Sequence, residues 1–214
     1  LHALSNVTLM GEQEIDSIQQ DANSVTVSTL QGLKLSANLM LAADGRGSTA
    51  SQLLQLPITS GDYKQSAIVA NVTTELSHQN TAWQRFLSTG PLAMLPLSNG
   101  QSSIVWSADT DLAEELMILD DRAFMARLSK SFESRLGKIT ACSARAQFPL
   151  RWHTADRWLQ GRVLLIGDAA HGVHPLAGQG VNLGFADVVL LNRMLVPGSP
   201  VYKKTLLRRF ERQR

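Results

Sequence analysis

The chain has 214 residues, is 44% hydrophobic and 18% charged, and carries one cysteine and a formal net charge of +2. That length and composition suit one large domain or two small ones with a real core. A single Cys142 excludes an internal disulfide framework and favours a reducing, cytoplasmic setting. No apolar run approaches the roughly 18 residues of a membrane-spanning helix, and no secretory leader opens the chain. Of 20 Lys and Arg and 18 Asp and Glu, six basic residues and one acid lie from Lys203 onward, which leaves 14 basic and 17 acidic residues before it. The basicity belongs to the tail, so a nucleic-acid-binding surface is not indicated.

In chain order, residues 6–10 alternate weakly and read as a strand. Residues 14–20 and 24–30 alternate more clearly around Asp21-Ala22-Asn23, a hairpin pattern. Residues 35–44 form an apolar strand ending in Asp44-Gly45. Ser48 is placed to cap a short helix running to Leu56 and ended by Pro57. Strands are then expected over 66–74, 83–88, 92–97 and 102–108. Asn99-Gly100 between two apolar runs is a hairpin signal, and this close spacing without helices indicates an antiparallel sheet. Asp120 or Asp121 caps a helix to about Leu136 with Phe124, Leu128 and Phe132 on one face, and 141–150 is a further strand. The end returns to a strand at 162–167, a helix at 180–195, a Pro197-Gly198 break and a helix from about Pro200.

The stretch from Arg162 to Asn192 has the layout of a nucleotide site. Val163-Leu164-Leu165-Ile166 suits a covered parallel strand. Asp168 follows Gly167 at its carboxyl end, and a loop punctuated by Pro175, Gly178 and Gly180 opens a helix. Glycine-rich loops bring backbone N–H groups and the positive helix end up to an anion, and a strand-end carboxylate can accept hydrogen bonds from sugar hydroxyls. An ordinary Gly-rich turn is the alternative for Gly178-x-Gly180, as a structural turn is for Asp44-Gly45. His153, His171 and His174 lack the converging partners a metal site needs. Gly-x-Ser-x-Gly is absent. Cys142 reads as a small buried side chain, and the tail as a solvated helix face, with anionic lipid headgroups as its alternative partner.

Two segments carry a resemblance. Leu41-Ala42-Ala43-Asp44-Gly45-Arg46-Gly47-Ser48 resembles the Asp-Gly motif of FAD-dependent aromatic hydroxylases, the class A flavoprotein monooxygenases. Val163 to Asn182, with Gly167-Asp168, Pro175 and Gly178-Gln179-Gly180-Val181-Asn182, resembles their Gly-Asp motif and flavin loop. Residues 90–97 and 135–140 are similar to the branch that hydroxylates polyprenylated phenols in ubiquinone biosynthesis.

The resemblance implies an α/β fold (α+β within this chain), a partial Rossmann-like FAD-binding layer with an inserted antiparallel-sheet substrate domain. The expected division is residues 1–60 with the Asp-Gly motif, 61–150 as the substrate-side sheet and helix, and 151–214 with the Gly-Asp motif and terminal helices. It implies FAD and NAD(P)H as cofactors, with Asp168 at a flavin hydroxyl and Asp44 and Gly45 near the pyrophosphate and the path of NAD(P)H. Gly167 would belong to the cofactor site through the Gly-Asp motif, and Pro175 with the Gly178, Gln179, Gly180, Val181 and Asn182 backbone would line the ring. The substrate implied is a polyprenyl phenol, with a peripheral contact to the inner membrane or a ubiquinone-biosynthesis complex. No catalytic base is identified. Ser51 stands where the wider family often has arginine. The strand–Gly-x-Gly-x-x-Gly–helix unit that binds the ADP half of FAD is not among these residues, and Leu1 and the uncapped TLLRRFERQR read as cut ends. The chain is therefore expected to be a fragment that binds FAD weakly. Two other readings are a non-catalytic fragment holding a hydrophobic ligand or partner, and a flavin hydroxylase acting on a soluble phenol.

Overall fold

The structure, a computed structural model, describes residues 4–174, 179–195, 198 and 200–214. It divides into two compact units. The first comprises residues 1–60, 153–173 and 180–214, and the second 61–152 and 174–179.

The first unit contains an antiparallel sheet of β1 (Ile15–Gln20), β2 (Val25–Thr29) and β3 (Lys34–Ala37). Asp21 Oδ1 accepts the amides of Asn23 and Ser24 at 2.6 and 2.7 Å, which fixes the β1–β2 turn as an Asx turn. The strand expected over 35–44 is broken at Asn38 into β3 and β4 (Met40–Ala42). The strand expected over 6–10 does not form: Val7, Leu9 and Met10 are exposed, so their alternation has no partner face to bury against. Ser48 caps α1 (Thr49–Leu53), its Oγ accepting Ser51 N–H at 3.0 Å.

A second sheet in this unit runs β11 (Leu159–Gln160), β12 (Val163–Leu165), β4. The β12–β4 pair is parallel, with Val163 beside Met40, Leu164 beside Leu41 and Leu165 beside Ala42. All three β12 residues are fully buried, as a strand covered on both faces requires. Helix α4 (Gln179–Met194) turns Asp187 and Leu191 inward and leaves Val181, Phe185, Val188 and Val189 exposed. Helix α5 (Lys204–Gln213) is shorter than expected and is not merely solvated. Leu207 and Phe210 are fully buried in the core with Trp158, Leu159 and Leu164, each worth about 2 kcal/mol.

Glu211 fastens α5. Its Oε1 accepts Trp158 and Leu159 N–H at 2.7 and 3.1 Å, and Oε2 meets Arg208 at 2.8 Å. Burial pushes its pKa up, but the two amides and Arg208 outweigh that and hold it below 4.5. A depressed folded pKa means that the unfolded chain binds the proton first, so this stability is present above the unfolded pKa and lost as pH falls through the folded one. Glu211→Gln is therefore expected to flatten the decline in urea midpoint between about pH 5 and pH 3; an acid limb as steep as in the parent would contradict this role.

The second unit is an antiparallel sheet in the order β10 (Ala146–Ala155), β5 (Ile58–Thr74), β8 (Ser102–Asp109), β7 (Gly90–Pro96), β6 (Trp83–Leu87), with β9 (Ile139–Cys142) also on β5. The far ends of β5 and β10 belong to the first unit. The Asn99-Gly100 turn joins β7 to β8 as expected, with Gly100 at φ +83° and its N–H on Leu97 O at 3.1 Å. Helix α2 (Thr110–Ile118) was not anticipated. Helix α3 (Asp121–Ser131) ends earlier than expected, although Phe132 and Leu136 are still buried beyond it. Asp120 is its cap, accepting Ala123 N–H at 2.7 Å. Arg145 reaches from the β9–β10 connection to the carbonyls of Leu116 and Leu119, at 2.9 and 2.7 Å, and satisfies the open end of α2.

Candidate functional site

Two parallel strands end side by side in the first unit, and each delivers an aspartate. Asp44 lies two residues past Ala42, and Asp168 three past Leu165, the residue paired with Ala42. The carboxyl ends of parallel strands are where open α/β sheets bind ligands. Asp44 spends one oxygen on its own fold, Oδ2 accepting Ala50 N–H of α1 at 3.1 Å. Asp168 is exposed, and its carboxylate makes no hydrogen bond among the described residues. Gly45 and Gly47 both have positive φ, +79° and +78°, and a Cβ on either would meet nothing within 4 Å. Space is open beside Gly180 as well. These glycines thus present bare backbone to open space.

The loop carrying Asp168 is held from beneath by a polar cluster. Gly167, at φ +58°, begins a single 3₁₀ turn through Ala169, followed by β13 (His171–Gly172), which pairs with His153 and Thr154 of β10. Gly167 and Gly184 face each other, a Cβ on Gly184 standing 3.5 Å from Gly167 Cα, so α4 approaches the loop backbone closely. Asp187 of α4 is fully buried. Its Oδ2 accepts Gly167 N–H at 2.8 Å and His171 Nε2–H at 2.9 Å. Arg214 Nε stands 2.5 Å from Oδ1 as an ion pair without hydrogen-bond alignment. Burial pushes the Asp187 pKa up, but His171, the Gly167 amide and Arg214 outweigh it and keep the carboxyl below 3.8. A carboxylate only accepts, so His171 carries hydrogen on Nε2. Its ring stacks on Trp158 at 4.8 Å between centroids.

His153 holds the same loop from the other side. Its Nε2 lies 2.8 Å from Asp168 O, and a carbonyl only accepts, so Nε2 is again the protonated nitrogen. The ring fills the space a side chain at Gly172 would need. A Cβ there would lie 2.5 Å from His153 Nδ1. Gly172→Ala is expected to displace the ring, break the bond to Asp168 O and cost about 1–3 kcal/mol. Urea denaturation reads this directly, and a midpoint equal to the parent's would contradict the packing.

In the second unit, His174 Nε2 is 2.9 Å from Gln65 Oε1. Gln65 donates its amide hydrogens to Thr89 O and Asp109 Oδ1, both at 3.2 Å, so its oxygen faces His174 and Nε2 of His174 is the donor. Tyr63 packs edge-on against the His174 ring at 4.9 Å, and its hydroxyl accepts His174 N–H at 3.2 Å. Burial holds the His174 pKa below 6.5, which favours the neutral ring.

Of the residues read as cofactor ligands from sequence, Asp44, Gly45, Gly167 and Asp168 come together at the strand ends. Gly180, Val181 and Asn182 lie in the first turn of α4. Pro175 and Gly178 lie outside the described residues, as does the side chain of Gln179. Sequence reasoning missed Asp187 and the contact of His153 with the Asp168 loop. The signal for Asp187 was a lone carboxylate inside the apolar helical run Phe185 to Leu191. No group of three or more His, Cys, Asp or Glu positioned to hold a metal occurs among the described residues.

Residues 2–212 match a family model described as FAD binding domain. The ubiquinone hydroxylase UbiL of Rhodospirillum rubrum is 36% identical over 208 residues, covering 94% of this chain and 48% of that protein. The 3-demethoxyubiquinol 3-hydroxylase of Escherichia coli is 35% identical over 196 residues, covering 92% and 50%. The chain thus spans about half the length of the curated relatives it matches. Among solved structures, P. aeruginosa PqsL in complex with 2-aminobenzoylacetate aligns with a TM-score of 0.74 at 22% identity, over 95% of this chain and 58% of that one. At that identity the likeness shows the fold alone.

Proposed function

Since the chain belongs to the FAD binding domain family, we propose that it forms the flavin-facing half of a monooxygenase that hydroxylates a polyprenylated phenol in ubiquinone biosynthesis. The observation that carries this is the parallel β4–β12 pair, which sets Asp44 and Asp168 at adjacent strand ends beside glycines with open space. The activities for which these relatives are named support the substrate class. FAD, reduced by NAD(P)H, supplies the redox and oxygen chemistry. The chain's own residues hold and orient it. The free Asp168 carboxylate accepts hydrogen bonds from a cofactor hydroxyl. Gly45 and Gly47 admit a phosphate-bearing segment against bare backbone, and Asp44 keeps that turn rigid through Ala50. Gly167 and the first turn of α4, with Gly180, Val181 and Asn182, would lie against the cofactor. The Asp187–His171 and His153 contacts fix the Asp168 loop before any ligand arrives, so little order is lost on binding.

The substrate's lipid character fits a peripheral contact with the membrane. No helix among the described residues is long and apolar enough to cross one. The test is NAD(P)H-dependent hydroxylation by the natural polypeptide containing these residues, supplied with FAD and with either a prenylated or a short-chain phenol. Product from the prenylated phenol is expected. Turnover of the short-chain phenol alone would point to a soluble substrate, and no turnover of either would overturn the assignment.

A further inference from the structure

A second concave feature lies in the first unit, away from the strand ends that carry Asp44 and Asp168. An open pocket of about 220 Å³ is lined by Arg157, Leu159, Gln160, Gly161, Lys204 and Arg208. Gly161 precedes the amino end of β12, whereas Asp168 follows its carboxyl end. At about 3.3 Å per strand residue the two are separated by roughly 20 Å, so this is a different site.

The lining is cationic and holds no carboxylate. Arg157 and Lys204 are exposed and have no ion-pair partner among the described residues. Glu211 is already engaged by the Trp158 and Leu159 amides and Arg208, while Asp156, which accepts Thr59 Oγ1 at 2.7 Å, keeps its charge outside the lining. The first turn of α5 adds to the field. Lys203 gives no side-chain cap and the turn has no acid. Leu206 and Leu207 N–H both turn to Lys203 O, at 2.9 and 3.0 Å, which leaves the Lys204 and Thr205 N–H groups at the positive helix end. The volume equals about seven waters, room for a phosphate group and part of what bears it. Arg157 and Lys204, beside the Arg208 guanidinium that also holds Glu211, match phosphate oxygens in charge.

We propose that this pocket binds a phosphate group, carried either by a free anion or by an anionic lipid headgroup at a membrane surface. The inference stands independently of the flavin reading. Two titrations of the protein test it. One follows ¹H–¹⁵N shifts at Arg157, Gly161 and Lys204 on adding sodium phosphate against chloride at equal ionic strength. The other is cosedimentation with phosphatidylcholine vesicles with and without phosphatidylglycerol. Saturable shifts with phosphate identify a free anion. Binding only to phosphatidylglycerol vesicles identifies the headgroup. Arg157→Gln with Lys204→Gln, both exposed, should weaken either interaction about tenfold or more. Lys204→Arg should preserve it, and Arg209→Ala, outside the lining, should leave it near the parent value. Absence of both interactions, or binding undiminished in the double variant, would overturn the proposal.

Discussion

Replacing Asp187 by alanine is expected to lower stability by about 3–5 kcal/mol, because removing one member of a buried ion pair strands the others. Gly167 N–H and His171 Nε2–H lose their acceptor, and Arg214 loses its counter-charge. Asn is the informative second variant. It retains the shape and can still accept Gly167 N–H, but it cannot balance Arg214 and presents only one acceptor. Its loss is expected to be smaller, about 1–2 kcal/mol. Urea denaturation of the three proteins at neutral pH checks the order parent, Asn, Ala. An Asp187→Ala midpoint equal to the parent's would show that the buried carboxylate does not hold the Asp168 loop.

Arg162→Ala is expected to cost about 3 kcal/mol, through a different part of the same unit. The Arg162 guanidinium is buried and ties two turns together. Nη1 donates to Asn38 O at 2.8 Å, Nε to Ala22 O at 3.1 Å, and Nη2 also to Ala22 O. The guanidinium lies 3.9 Å over the Tyr202 ring. Charged hydrogen bonds of this kind are worth about 1.5–3 kcal/mol each. Ala22 and Asn38 are exposed, so water replaces part of what is lost, and the total stays near about 3 kcal/mol, below the full sum of these bonds. Arg162 O also accepts Met40 N–H at 2.9 Å, where β4 begins its pairing with β12. Loosening this corner therefore reaches the relative placement of Asp44 and Asp168. Lysine can reach one carbonyl but not both, so Arg162→Lys should recover less than half of the loss. Thermal unfolding of the three proteins tests this, and full recovery by lysine would contradict the forked contact.

The parts of the fold that were legible were those in which local chemistry and burial agree. Ser48 and Asp120 are caps where the sequence places caps, Asn99-Gly100 is a hairpin turn, and Val163–Leu165 is a buried strand before a loop and helix. Residues 6–10 show the limit of alternation, which indicates a strand only if something pairs with it. Helix α2 was missed because Thr110–Ile118 follows β8 with no side-chain cap bond from Asp109. The polar start of β5 was missed because Ile58 to Gln65 lacks an apolar run; its Gly61 leaves room for the Trp152 ring, whose Nε1 would lie 2.5 Å from a Cβ there. In α5 the four basic residues Lys204, Arg208, Arg209 and Arg212 masked the Leu206, Leu207 and Phe210 stripe that docks it.

At the site, the strand-end aspartates and loop glycines were legible because they are local signals. The residues that support them were not. Asp187, His153 and Arg162 act across 15 to 20 positions or more, and no local pattern records which backbone group each will meet.

The most direct measurement is FAD binding by the natural polypeptide that contains these residues, compared with Asp168→Ala. Asp168 is exposed and its carboxylate supports no other part of the described chain, so the variant should unfold at the parent's midpoint. Loss of a charged hydrogen bond to the cofactor should nevertheless weaken flavin binding about tenfold or more, read from flavin absorbance retained after dialysis. Equal retention by Asp168→Ala and the parent would contradict the placement of the flavin at the carboxyl ends of β4 and β12.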